Sequence, residues 1–150
     1  MAEEHSIFVL DTFALLAHLQ GESGMTRVRD LLQNAELGDC NLYISIINLG
    51  EVLYITEREH GLKKAQNALA AIRQLPIEIL PVDEQTVFAA AHIKANYRLS
   101  YADAFAVTAA RGLNAILVTG DTEFAQVEKI VQVEWLEKRK NNKYRNNLKM

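Results

Sequence analysis

Short apolar runs alternate with longer segments of helical period along this chain, and no other feature restricts its fold as tightly. IFVL at 7–10, LYIS at 42–45, IEIL at 77–80, AILVT at 115–119 and a run near 131–135 read as strands. Between them TFALLAHL, MTRVRDLLQNA, INLGEVLYITEREH, KKAQNALAAIRQL, VDEQTVFAAAHIKANY and YADAFAVTAARG read as helices, and a short helical turn is expected at 122–127. In the second of these, Val28, Leu31, Leu32 and Ala35 recur at helical spacing and form one apolar stripe. Gly61 stops the third in the manner of a glycine C-cap, and Pro76 and Pro81 bracket IEIL. Strands alternating with helices specify an α/β sandwich with a mostly parallel central sheet, because a parallel pair needs a crossover and a helix usually supplies it.

Composition agrees with one such domain. At 150 residues, 49% of them hydrophobic, a fold buries roughly 70% of the surface of its unfolded chain and needs no staple. The single cysteine, Cys40, can build neither an internal disulfide nor a cysteine-rich zinc site. With no secretory apolar region at the N-terminus and no long apolar span, the reading is a cytoplasmic protein that does not enter a membrane. Charge divides the chain into a domain at 1–136 and a basic tail at 137–150. The tail carries six Lys/Arg against Glu137, about +5, which leaves about −8 on the rest. Such a run is either a solvated, disordered terminus or an arm for nucleic acid.

In an open parallel sheet the loops leaving the carboxyl ends of the strands share one edge, and sites assemble there. Asp11 leaves the first strand at that edge, and Asp121, in LVTGDTEF, leaves the late strand at the same edge, so residues far apart in sequence are expected as neighbours. Asp103 is the only ionisable side chain from 102 to 110, on a helix apolar on nearly every face. Glu51 has Ile47, Tyr54 and Ile55 one turn away. Each acid has a plain structural role open to it. Asp11 and Asp121 are good N-caps, with Thr12 or Thr122 able to share the work. Ser100 and Asp103 have the spacing of a capping box, and Glu51 could pair with Arg58. Four acids in apolar sequence, each at a strand end or on a helix that follows one, exceed what capping requires, and a buried ionised carboxylate costs several kcal/mol unless paired or bound to a metal. Four carboxylates without clustered Cys or His form a hard oxygen site suited to Mg2+ or Mn2+.

His5, His18, His60 and His92 show no metal-ligand spacing and are read as surface or packing residues. The absence of G-x-x-x-x-G-K-[ST], G-x-S-x-G and G-x-G-x-x-G counts against nucleotide-loop, serine-hydrolase and dinucleotide chemistry.

At these acids the sequence resembles a PIN domain, most of all the VapC-like toxins of toxin–antitoxin pairs, over roughly 7–135. The resemblance is carried by the opening strand with Asp11-Thr12, the helix acid in NLGEVLY, the S-x-x-D-A of SYADA, and the closing VTGDTEF. It implies an acidic metal site of Asp11, Glu51, Asp103 and Asp121, with Asp11 and Asp103 as the most direct ligands and Glu51 and Asp121 completing the charge. Thr119 would support the last acid, Ser100 would cap the third, Thr12 would stand beside the first, and Phe124 would be core.

The implied activity is Mg2+-dependent endoribonuclease cleavage of an RNA substrate, with Mn2+ as a substitute. The implied partners are a VapB-like antitoxin and a second copy of the chain in a homodimer. Arg27, Arg29, Lys63, Lys64, Arg98 and the tail are the available phosphate donors. Rival readings are a PIN nuclease or RNA-processing protein outside a toxin–antitoxin pair, a non-catalytic PIN-like module, a phosphoaspartate receiver domain, and a phosphohydrolase of the haloacid-dehalogenase type. The last needs a second Asp two residues after the first, and Phe13 stands there.

Overall fold

The computed structural model describes residues 5–136; the basic tail lies outside the described residues. Five strands and six helices alternate: β1 (Ser6–Leu10), α1 (Thr12–Gln20), α2 (Met25–Glu36), β2 (Cys40–Ser45), α3 (Ile46–His60), α4 (Leu62–Ile72), β3 (Ile77–Leu80), α5 (Glu84–Asn96), α6 (Tyr101–Leu113), β4 (Ile116–Thr119) and β5 (Val133–Trp135), with a 3-10 turn at Thr122–Val127. Every pairing in the sheet is parallel, and the order is β3-β2-β1-β4-β5. The sheet expected to be mostly parallel is therefore wholly so.

Strand alternation sorts the core into layers. Phe8 and Leu10 of β1 pack with Val28, Leu31 and Leu32 of α2 on one face. Val9, between them, packs on the other face with Ala104, Phe105 and Val107 of α6 and with Phe124, which is fully buried as expected. A third apolar cluster joins Leu15 and Leu16 of α1 to Ile44 of β2 and to Val52 and Ile55 of α3. This is an α/β/α sandwich.

Local sequence sets the boundaries. Gly61 ends α3 at φ 89°, a value that L side chains rarely adopt. The α6 cap forms as its sequence implies, with the Asp103 backbone N–H donating to Ser100 Oγ at 3.1 Å. The opposite end of α6 closes on Asn114 at φ 50°, a left-handed residue of the type that tolerates it.

Candidate active site

Strand order locates the site. In the sequence β3-β2-β1-β4-β5 the winding direction reverses between β1 and β4, and at such a switch point the loops diverge and leave a crevice beyond the strand ends. Asp11 follows β1 and Asp121 follows β4, and the Asp11 N–H donates to Val118 O at 3.3 Å. Asp11, Glu51, Asp103 and Asp121 all line one cleft of ≈ 430 Å³ at this edge. The structure thus brings together all four acids singled out in the sequence, from four different segments.

Capping and site-building turn out to be the same act for two of them. Asp11 caps α1, its Oδ1 accepting from the Ala14 N–H at 2.8 Å, while its Oδ2 accepts from Thr119 Oγ1 at 2.5 Å. Asp121 caps the 3-10 turn by accepting from the Glu123 N–H at 3.0 Å. Thr119 joins the two, because the same hydroxyl oxygen accepts from the Asp121 N–H at 3.0 Å. A fully buried threonine therefore orients the first acid with its proton and the fourth acid's backbone with its lone pair. Glu51, half-buried, accepts from the Tyr54 hydroxyl at 3.2 Å, and Arg58 lies over the Tyr54 ring at 5.2 Å. The arginine reaches the acid's helix face through the ring.

The electrostatics follow from burial. Asp11 is 1% exposed and Asp103 8%. Loss of hydration pushes Asp11 up to about 7, against the bonds from Thr119 and Ala14, and the charges of Asp121 and Glu51 push in the same upward direction. Burial pushes Asp103 up to about 8, reinforced by Asp11, Asp121 and Glu51 and opposed by the Ser100 hydroxyl. Charges assembled at this cost call for a compensating cation.

The donor set fits one. One carboxylate oxygen from each of Asp103, Asp121 and Glu123 lies within 4.8 Å of the others, and no His or Cys lines the cleft. An all-carboxylate cage suits Mg2+ or Mn2+ rather than zinc. Asp11 and Glu51 line the cleft outside that closest trio.

Sequence reasoning passed over three contributors. Glu123 was present in GDTEF, two residues after Asp121, and the 3-10 turn is what folds it back onto its neighbour. Asn48 is fully buried and braces the elements that carry three of the acids. Its Nδ2 donates to Thr12 Oγ1 at 3.2 Å and to Ala102 O at 3.1 Å, tying α3 to the start of α1 and the start of α6, and Thr12 Oγ1 donates to Asn48 O at 3.4 Å. A polar residue one turn before Glu51 was the available signal. Lys94, the third, lines the cleft beside Arg98. Phe13, which argued against a haloacid-dehalogenase reading, also lines it and lies against Gly120, where a Cβ would sit 2.2 Å from the ring.

Fold and site together define a doubly wound α/β domain built around an acidic switch-point cleft. The chain belongs to the PIN domain family, whose sequence model matches residues 8–130. No curated protein sequence matched the chain. Among solved structures, VapBC2 from Rickettsia felis, bound to a DNA fragment from its promoter, is similar with a TM-score of 0.71 and 18% identity, covering 87% of this chain and 99% of that one. VapBC-1 from nontypeable Haemophilus influenzae gives a TM-score of 0.65 at 19% identity, with 86% and 97% covered. VapC20 from Mycobacterium tuberculosis, a toxin that cleaves the sarcin-ricin loop, gives 0.62 at 21%, with 81% and 95% covered. At these identities the likeness is one of fold.

Proposed function

We propose that this protein is a metal-dependent endoribonuclease and the toxin of a VapBC-type pair. The observation that carries the reading is the convergence of Asp11, Glu51, Asp103 and Asp121 in one cleft, joined there by Glu123. Asp103, Asp121 and Glu123 are the residues best grouped to hold Mg2+ or Mn2+, with Asp11 and Glu51 supplying the remaining negative charge. When bound, such an ion lowers the pKa of a water and offsets charge growing on the phosphate oxygens. The protein's own residues do the rest. Thr119 holds Asp11 in one orientation, and Ser100 fixes the start of the helix that carries Asp103. The carboxylates repel an RNA backbone until their charge is offset, so cleavage depends on the metal.

The likeness to VapBC structures supports an antitoxin partner, and membership of the PIN family supports an RNA substrate, a homodimer and a cytoplasmic setting. No helix among the described residues is long and apolar enough to cross a membrane. The test is cleavage of RNA with Mg2+ or Mn2+, with and without chelator, beside a phosphomonoester assay. Cleavage restored by metal and reduced about 10²-fold or more by Asp103→Asn is expected. Phosphomonoester hydrolysis without RNA cleavage, or wild-type rates in that variant, would refute the reading.

A further inference from the structure

The cleft has a second wall. Opposite in charge to the carboxylates, Lys94 and Arg98 line the same cavity, and they differ from Arg27 on structural grounds. Arg27 is bound to Glu134 through two contacts, Nε at 2.6 Å and the terminal nitrogen at 2.9 Å. It faces a different pocket, beside Ser6 and Cys40, which none of the five acids of the cleft lines. Arg98 has no such engagement. Among the described residues its guanidinium makes no ion pair and lies over no ring, although five carboxylates share its cleft.

Arg98 is nonetheless held firmly by its backbone. Its N–H donates to Gln126 Oε1 at 3.0 Å, and its C=O accepts from Gln126 Nε2 at 2.9 Å. One side-chain amide thus pairs with both polar groups of one residue, as a neighbouring strand would. The same Nε2 donates to Glu123 O at 3.2 Å. Gln126 therefore ties the loop that carries Arg98 to the 3-10 turn that carries Asp121 and Glu123. Leu99, next in the chain, is buried and anchors the loop from the other side. Lys94 sits in the last turn of α5, where it also complements the helix dipole, so the weight rests on Arg98.

A guanidinium left unpaired beside an acidic cluster, yet fixed at its Cα, is arranged for an anion that arrives with the substrate. We infer that Arg98, positioned by Gln126 and assisted by Lys94, binds a backbone phosphate of single-stranded RNA next to the bond that is cut. Arginine's planar fork matches phosphate geometry, and the contact is made before reaction, so it acts on substrate binding rather than on the chemical step. Gln126 is a positioning residue that acts through Arg98.

The inference rests on the ribonuclease reading, and the experiment keeps the two apart. RNA cleavage is measured for wild type, Arg98→Gln, Gln126→Ala and the double variant over a range of NaCl. Binding of a labelled single-stranded RNA is measured in parallel by fluorescence anisotropy, and thermal midpoints check folding. Arg98→Gln is expected to raise KM about tenfold, with the loss falling on KM rather than kcat. It should also reduce the salt slope of RNA affinity by about 0.7, one single-strand phosphate contact. Gln126→Ala is expected to raise KM when Arg98 is present and to add nothing in the Arg98→Gln background. Unchanged KM and salt slope in Arg98→Gln, while wild type still cleaves RNA, overturns the inference and leaves the ribonuclease reading standing. A loss confined to kcat also overturns it. RNA bound with an Arg98-dependent slope but never cut supports the phosphate contact and refutes the nuclease reading; no binding of RNA by wild type refutes both.

Discussion

Asp103→Asn is expected to stabilise the metal-free protein while removing its activity. The carboxyl is 8% exposed, and burial together with the charges of Asp11, Asp121 and Glu51 lifts it from 3.8 to about 8. Between those values the folded protein keeps a proton that the unfolded chain has lost. Stability is therefore full below pH 3.8 and is lost as pH rises through about 8. At about 1.4 kcal/mol per pH unit the ceiling is roughly 6 kcal/mol, and because Asp11 shares the same repulsions, roughly 2–4 kcal/mol is the expected share. An amide is neutral throughout and does not suffer the loss. Melting followed by circular dichroism in chelator should place Asp103→Asn about 6–12 °C above wild type at pH 9, at roughly 3 °C per kcal/mol for a chain of this size. The gap should narrow below pH 6 and close near pH 4. Excess Mg2+ or Mn2+ should raise the wild-type midpoint and leave the variant's nearly unchanged. A variant no more stable than wild type at pH 9, or a gap independent of pH, would refute the claim that the cleft stores carboxylate repulsion.

Other consequences are open to direct measurement. Gly120→Ala places a Cβ 2.2 Å from the Phe13 ring, so the ring must leave its position in the cleft. A fall in cleavage rate larger than the fall in melting temperature is expected, and an unaffected rate would show that Phe13 has no part in shaping the site. Asn48→Ala removes the bonds to Thr12 Oγ1 and Ala102 O in a fully buried setting. A loss of about 1–3 kcal/mol in urea unfolding is expected, and a change below about 0.5 kcal/mol would show that α1, α3 and α6 are held without it. Leu136 donates its N–H to Thr119 O at 2.8 Å, so the chain leaves β5 at the edge that carries the acids. Deletion of residues 138–150 is expected to flatten the salt dependence of RNA binding, and an unchanged slope would reject a nucleic-acid role for the tail.

The order and type of the elements were legible in the sequence because they depend on neighbours within a turn or a strand. The stripe of Val28, Leu31 and Leu32, the glycine at 61, the cap at Ser100 and the prolines around Ile77–Leu80 each act locally. Parallel topology then sufficed to set Asp11 beside Asp121, since all strand ends of one kind share an edge. The convergence of Glu51 and Asp103 on the same cleft came from the PIN resemblance.

Packing decided the rest. Periodicity gives the face of a helix but not the helix it meets, so Asn48 could not be seen as the tie between α1, α3 and α6. Glu123 joins Asp103 and Asp121 because a 3-10 turn, tighter than an α-helix, returns it to the cleft. Arg27 and Arg98 are equivalent as letters. One is bound to Glu134 of β5 and faces a different pocket, and the other is held beside the acids by Gln126. The sequence by itself determined which segments form and on which edge the strand-end acids fall; only the tertiary structure decided which charges are neutralised and which are left facing the cleft, because that depends on contacts between residues remote in the chain.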